Sequence, residues 1–593
     1  MRLAIAKWDP LRLPRARGIR STLVLILIRR QRQSISIASL SSLKKKAMNM
    51  NSPPPPPPPQ VEVDAGGRYA FNPTLKWDPH VEAYFSHAYG ASHFSRISSA
   101  LTKPSCYSCI RVNTLKTSTH DVNTKLLKLL FHQHQHQDPP FISQNPALHD
   151  VLYVWGTGPH HLSYHPHPGM GVPLKEVIVS RKCAEAVLRG AQIYVPGVMA
   201  CSAHVEKGDK VAVSVAIEKP TDTGGLTLGI TRGTVLHGTP SDIRYEDRHG
   251  LYIGEGVAFM SRTGIFRAKE GIAVEMTNRV YRLPSFNDVL EGEIFLQNLP
   301  SIVTARVLDP QPGERILDMC AAPGGKTTAI AILMKDKGEV IALDRSHNKV
   351  MDILKLADEM EIKCIKAYKL DALKSVNTSI TDENEVMLEE QSVIVGEECY
   401  DLTNLQKDEK GRYLSKAVMR KRMRQMRNGP GKNNSKGGKV ANSKGFAPNS
   451  FDRVLLDAPC SALGLRPRLF AAEETIDSLR RHGTYQRRMF DRAVQLVRPG
   501  GVIVYSTCTI NPGENEALVR YALDTYGFLT LAPQSPKIGG PGIVGSYRID
   551  ETHTEEWLKE SEAELVQRFD PVSDTDTIGF FIAKFMVGMK REA

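Results

Sequence analysis

The sequence predicts an α/β protein: a doubly wound parallel sheet preceded by a small β-barrel, with a disordered N-terminus and a disordered insertion. Three observations lead there. From about Val274 onward, apolar strand-like runs alternate with helical segments, the mark of repeated β–α units. A two-glycine turn, Gly324-Gly325, separates one such strand from its helix. Between Pro173 and Arg267, short β runs surround a single helix and are spaced too closely for β–α units, as in a small barrel.

The chain has 593 residues, 41% hydrophobic, with a net charge of +13. That length implies more than one domain, and the apolar fraction excludes a wholly disordered protein. Residues 1–50 carry eight Arg and four Lys against one acid, Asp9, so +11 of the charge sits in this tail and +2 in the rest. Basicity of the whole chain is therefore weak support for a nucleic-acid partner. The Arg- and Ser-rich start, which ends in the proline run Pro53 to Pro59, allows either a transit peptide for a mitochondrion or plastid or an extended tail on a cytoplasmic protein. No apolar run reaches the roughly 18 residues that a membrane helix needs. Nine scattered cysteines read as free thiols rather than as a disulfide framework.

Residues 66–171 read as folded but irregular. They hold a Cys106-x-x-Cys109 pair with no second pair to complete a zinc site, and an alternating His-Gln run, His132 to Gln137, read as a flexible insertion; no metal site is expected. In the barrel segment, Val177 to Val179 precedes a helix from Lys182 to Arg189 closed by Gly190, the residue suited to a helix end. Further strands are expected at Ile193 to Val195, Lys210 to Val215, Leu226 to Ile230 and Gly233 to Val235. In the second half the strands are Ile316-Leu317, Val340 to Leu343, Cys364 to Ala367, Arg453 to Leu456 and Val502 to Tyr505. Helices are expected at Thr327 to Met334, around Lys349 to Met360 and from Glu473 to Val497, with a late strand, Thr577 to Phe585, as an edge hairpin. Residues 374–450 interrupt this pattern: Val376 to Asp401 holds eight acids and no Lys or Arg, while Lys407 to Lys444 is +11. Blocks of opposite sign read as a solvated insertion, in which Leu414 to Met426 could form a basic helix.

The chemistry-bearing residues lie at strand ends. Cys320-Ala321-Ala322-Pro323-Gly324-Gly325-Lys326 passes from a strand through a glycine turn into a helix, an arrangement suited to a nucleotide-like cofactor. It lacks the first glycine of a P-loop. Asp344 ends the next strand about twenty residues on, where an acid accepts ribose hydroxyls, and Asp371 follows the third strand. The fourth strand ends in Asp457-Ala458-Pro459-Cys460 and the fifth in Thr507-Cys508-Thr509. Open α/β sheets bind ligands at this carboxyl edge, so two thiols and an acid on adjacent tips point to catalysis.

These motifs resemble those of the Sun-domain (Fmu-type) RNA cytosine-5 methyltransferases, in their PUA-containing eukaryotic tRNA-modifying branch. The likeness rests on Arg111 to Lys116, Pro284-Ser285-Phe286 through Gln311-Pro312-Gly313, Cys320 to Thr328, Asp344, Asp457 to Ser461 and Thr507-Cys508. In the barrel segment it rests on Lys175 to Ser180, Arg189-Gly190-Ala191, Val195-Pro196-Gly197, Gly208-Asp209 and Gly254-Glu255-Gly256. The resemblance implies a Rossmann-like methyltransferase domain over 275–593, a PUA domain over 172–268 that binds RNA, and an N-terminal region of the enzyme over 66–171. It implies S-adenosylmethionine as donor, held by Cys320 to Lys326, Asp344 with Lys349, Asp371 and Asp457. It names Cys508 as the nucleophile that adds to carbon 6 of cytosine, Asp457 as the acid at nitrogen 3 and Cys460 as the base or relay. Lys326 would favour the thiolate or orient the base. RNA, in particular tRNA, is the partner implied; ribosomal RNA is the alternative, and a monomer is favoured. A non-catalytic RNA-binding or ribosome-assembly factor on the same fold is the competing reading, opposed by the presence of both cysteines, Asp457 and Lys326.

Overall fold

The computed structural model describes residues 69–133, 141–162, 175–220, 226–237, 247–284, 286, 289–377 and 441–590. The N-terminal tail, the His-Gln run past Gln133 and positions 378–440, with the basic stretch Leu414 to Met426, lie outside the described residues.

The second half of the chain supplies a nine-stranded sheet. Its elements are β1 (Arg315–Asp318), α1 (Gly325–Leu333), β2 (Glu339–Asp344), α2 (His347–Glu359), β3 (Ile365–Lys369), β4 (Phe451–Asp457), α3 (Ile476–Leu496), β5 (Val497–Thr507), α4 (Glu516–Thr525), β6 (Leu529–Leu531) and β7 (Phe580–Val587). The strands lie in the order β3-β2-β1-β4-β5-β7-β6, with Ala441–Asn442 beyond β3 and Gln567–Phe569 beside β7. The pairings from β3 to β5 are parallel, and β7 is antiparallel to both β5 and β6. Successive side chains of a strand point to opposite faces, and here both faces are buried. Ile316, Val340, Ala342, Leu455, Val502 and Val504 enter one core with Ile330 and Ile353. Leu317, Ile341, Leu343, Leu456, Ile503 and Tyr505 enter the other with Met489, Phe490 and Leu518. That double burial is why these strands read as continuous apolar runs, and the expected doubly wound sheet is present.

In this half three expectations need correction. The Phe580–Val587 strand is interior rather than an edge hairpin: β5 lines one side, while Gln567–Phe569 and β6 share the other. The insertion is narrower than 374–450, because Val376 bridges to Phe446, Ala441–Asn442 pairs with β3, and Phe446 and Ala447 are buried. The third strand starts at Ile365, one residue late, because the Cys364 N–H donates to Asp336 Oδ1 (2.8 Å) rather than to a strand neighbour.

The earlier β segment forms a mixed seven-stranded sheet. Its order is Thr234–Leu236, Val198–Ser202, Lys175–Ser180, Lys210–Ala216, Tyr252–Ala258, Ile272–Arg279, Ile193–Tyr194. Val177, Val179, Val187, Leu188, Val211, Val213 and Val274 fill its core. The helix runs Arg181–Leu188, and Gly190 beyond it takes a φ of 102°. Only Leu226–Thr227 of the expected Leu226 to Ile230 strand forms. The unit reaches Arg279 instead of ending near Arg267, since Ile272–Arg279 pairs with Tyr252–Ala258. It is tied to the half that carries the nine-stranded sheet: Leu469, from the loop after β4, is buried in its core, and Arg181 pairs with Glu473 (2.9 Å).

Residues 79–155 make a helix pair, Pro79–Tyr89 and Ala91–Leu101, a third helix, Thr119–Gln133, and strands of a four-stranded antiparallel sheet completed by Ile294–Leu296. Cys106 precedes one of these strands and Cys109 is buried within it. The helix pair buries Val81, Phe85, Phe94 and Ile97 against Leu463, Leu479 and Ile510 of the half that carries the nine-stranded sheet.

Candidate active site

The order of the sheet reverses between β1 and β4; Cys320 to Lys326, Asp457, Cys460 and Cys508 follow the carboxyl ends of the strands beside that reversal, while Asp344, Lys349 and Asp371 follow β2 and β3. Gly324 begins α1 with a φ of 105°, a left-handed conformation that a side chain would strain. Gly325 is bare for a different reason than ligand approach: a Cβ there would lie 2.7 Å from the Phe295 ring. Behind the turn, buried Arg111 donates from Nη2 to the Gly325 carbonyl (3.2 Å) and Thr328 Oγ1 (2.9 Å), and from Nε to Gln297 (2.9 Å). Desolvation pulls its guanidinium down to about 10. The Ala321 N–H donates to the Leu343 carbonyl (2.9 Å), which fixes the turn onto β2.

Across the seam, Lys326 Nζ lies 2.6 Å from Asp457 Oδ2 and 5.4 Å from the centre of the Phe580 ring. Ser506 Oγ donates to the other carboxylate oxygen (2.7 Å). Asp457 is thus aimed by one residue from α1 and one from β5. Its pairing follows from register, because Asp457 lies opposite Ser506 in the parallel ladder.

Cys460 Sγ and Cys508 Sγ are 3.4 Å apart, and both residues are partly exposed. A hydrogen bond from the Cys460 thiol lowers the pKa of Cys508; burial and Asp457 oppose that shift, and the Lys326 ammonium assists it. The same hydrogen bond, with burial, holds the Cys460 thiol well above its ordinary range. The pair is polarised: the charge belongs on Cys508 and the proton on Cys460.

A buried carboxylate holds the two tips together. Glu514 Oε2 accepts from the Ser461 N–H (3.0 Å) and Gln486 Nε2 (2.7 Å), and Oε1 accepts from Ser461 Oγ (2.5 Å) and Asn511 Nδ2 (2.9 Å). Thr507 Oγ1 donates to Asn515 (2.5 Å), and Asn515 Nδ2 donates to the Thr509 carbonyl (3.0 Å). Glu514 and Asn515 are invisible to motif reading, since nothing in Asn511-Pro-Gly-Glu-Asn515 announces that these polar residues are buried.

The remaining cofactor candidates line β2 and β3. Asp344 Oδ1 accepts from the Ser346 N–H (2.8 Å), while among the described residues Oδ2 meets only the distant Lys349 ammonium (3.8 Å), which leaves capacity for hydroxyl donors. Asp371 accepts from the Leu373 N–H (3.0 Å) at the start of a short 3₁₀ turn. Burial raises Cys320 well above its usual range, and Asp318, Asp457 and Asp344 raise it further, so three acids surround the glycine turn. Asp318, which no motif marks, is buried at the β1 tip. Desolvation lifts it to about 7, against a 2.8 Å hydrogen bond from Thr327 Oγ1. Tyr485 of α3 reaches the same region: burial raises its hydroxyl, and Asp371 and Cys320 add to that.

The parallel β3-β2-β1-β4-β5 path, its antiparallel β7, and a glycine turn at the reversal define a methyltransferase fold. Residues 305–392 and 418–586 match the family model for 16S rRNA methyltransferase RsmB/F. An Arabidopsis thaliana protein, rRNA (cytosine-C(5))-methyltransferase NOP2C, is 56% identical over 88% of this chain and 92% of its own. The Mus musculus tRNA (cytosine(72)-C(5))-methyltransferase NSUN6 is 35% identical over 87% and 97%. The crystal structure of NSun6 from Pyrococcus horikoshii with SFG aligns at a TM-score of 0.59 and 27% identity, covering 87% of this chain and 99% of that one. The chain belongs to the Sun-domain family of S-adenosylmethionine-dependent RNA cytosine-C5 methyltransferases.

Proposed function

We propose that this enzyme forms 5-methylcytosine in tRNA through a covalent adduct between Cys508 and carbon 6 of the target base. The single observation that carries the chemistry is the polarised 3.4 Å sulfur pair. Carbon 5 of cytosine is a poor nucleophile. Addition of the Cys508 thiolate to carbon 6 turns the ring into an enamine able to attack an electrophilic methyl group. Asp457 would hydrogen-bond the ring at nitrogen 3 as charge develops there. Lys326 keeps Asp457 in place and favours the Cys508 thiolate. After methyl transfer, Cys460 serves as base or relay for the carbon 5 proton; loss of that proton expels Cys508 and restores the aromatic ring. The target base must leave its stack to reach these tips.

S-adenosylmethionine supplies the methyl group on a sulfonium when bound. The residues fit it: the left-handed Gly324 opens the turn, and Asp344 Oδ2, 3.8 Å from the Lys349 ammonium, has capacity for ribose hydroxyls. Cys320 to Lys326 would hold its methionine end, Asp344 and Lys349 its ribose, and Asp371 its adenine.

The seven-stranded unit we read as a PUA RNA-binding domain, on its motifs and its strand-rich sheet with two short helices, Arg181–Leu188 and Arg262–Arg267. That unit, with the relatives named tRNA (cytosine(72)-C(5))-methyltransferase, supports tRNA. Ribosomal RNA is the second reading, favoured by the 56% identical relative. Incubation of the purified protein with labelled donor and either total tRNA or ribosomal RNA decides between them. Label in cytosine of tRNA is the expected result; label in ribosomal RNA alone would overturn that choice.

A further inference from the structure

α3 carries five arginines, Arg480, Arg481, Arg487, Arg488 and Arg492, against two acids. A groove of about 470 Å³ runs along its first half, lined by Asp477, Arg480, Arg481, Thr484, Tyr485 and Arg488. Positions 477, 481, 484, 485 and 488 recur at helical spacing and share one face. Arg481 and Arg488 are exposed, and neither makes an ion pair among the described residues. Arg480 is only loosely engaged, 3.8 Å from Asp550.

The helix that carries the groove packs beside the active site. α3 follows the loop that leaves β4 and runs back to β5, so its first turns stand at the carboxyl edge with the two sulfurs. Gln486 Nε2 donates to the carbonyl of Pro459, the residue before Cys460 (3.0 Å). Tyr485, its neighbour in the chain, lies within electrostatic reach of Cys320 and Asp371.

A base drawn into the site leaves unstacked neighbours and a distorted backbone that must be held nearby. Guanidinium forks match phosphate oxygens, and aromatic rings accept any base by stacking. We propose that Arg481 and Arg488, with Arg480 and Tyr485 beside them, hold the RNA phosphodiester backbone next to the target cytosine. This rests on the reading of the sulfur pair as an RNA-methylating centre.

The test uses the full-length protein and total tRNA, with Arg481→Gln/Arg488→Gln and the charge-keeping Arg481→Lys/Arg488→Lys. Counterion release gives a slope of about 0.7 per phosphate contact on single strands, so the glutamine variant should lose about 1.4 from the slope of log affinity against log salt. That corresponds to a roughly tenfold rise in KM at 0.15 M salt with kcat within about twofold. The lysine variant should recover the slope. An unchanged KM and slope in the glutamine variant, with wild-type transfer intact, would overturn the groove alone; so would a fall in kcat at unchanged KM. If the wild-type protein transfers no methyl group to either tRNA or ribosomal RNA, the active-site reading fails, and the binding slope still decides the groove.

Discussion

Lys326 and Asp457, 131 residues apart in the chain, meet at 2.6 Å across the seam where the order of the sheet reverses. The ion pair joins the glycine turn to the Asp-Ala-Pro-Cys tip, so a change at either residue reaches both.

Lys326→Ala should lower kcat by about 10²–10³, the range for removal of one preorganised electrostatic group. It should also move the onset of Cys508 reactivity to higher pH, because the ammonium helps to lower that thiol. Single-turnover transfer across a pH series checks this; an unchanged profile would separate Lys326 from the thiolate.

Cys460→Ala removes the hydrogen bond that is the largest cause lowering the pKa of Cys508. The group is acidic, so losing a partner of its charged form raises its pKa and delays thiolate formation as pH rises. Alkylation of Cys508 by iodoacetamide, followed by peptide mass spectrometry, should shift to higher pH in the variant. A shift to lower pH would reverse the polarity assigned to the pair.

Glu514→Gln tests the buried bracket. Four donors converge on the carboxylate, and glutamine would turn an NH₂ group towards one pair of them. Leaving buried groups unmatched costs about 1–3 kcal/mol each. Urea unfolding should show a loss of about 2–6 kcal/mol for the two groups, with the sulfur pair loosened and kcat reduced. Wild-type stability and rate would mean that the tips hold themselves.

The sequence made the site legible but not its supports. Cys320 to Lys326, Asp344, Asp457, Cys460 and Cys508 were readable because packing alone seldom gathers a glycine turn, acids and thiols at the ends of adjacent strands. Glu514, Asn515 and Ser506 were not, because a buried polar residue and a solvated one look alike until packing is known. The interior place of Phe580–Val587 escaped for a related reason: its apolar run fits a buried strand at several positions in a sheet, and only pairing with β5, β6 and Gln567–Phe569 distinguishes them. Arg111 lies in a motif legible in the sequence, yet its hold on the glycine turn depends on contacts 214 and 217 residues away.

Asp318 carries a pH dependence of stability. Its folded pKa is about 7 against an ordinary 3.8. A carboxyl raised on folding contributes stability that is fully present below 3.8 and is lost as pH rises through about 7. Asp318→Asn should therefore flatten the fall in Tm between pH 5 and pH 8, while its side-chain oxygen still accepts from Thr327. An equally steep fall in the variant would place that dependence elsewhere.

The central claim is that Cys508 attacks and Cys460 releases. Cys460→Ala and Cys508→Ala, each incubated with the methyl donor and RNA and run on a denaturing gel, test it most directly. Cys460→Ala should accumulate an RNA-linked band of retarded protein, and Cys508→Ala should show none and transfer no methyl group. A covalent band with Cys508→Ala would contradict the account.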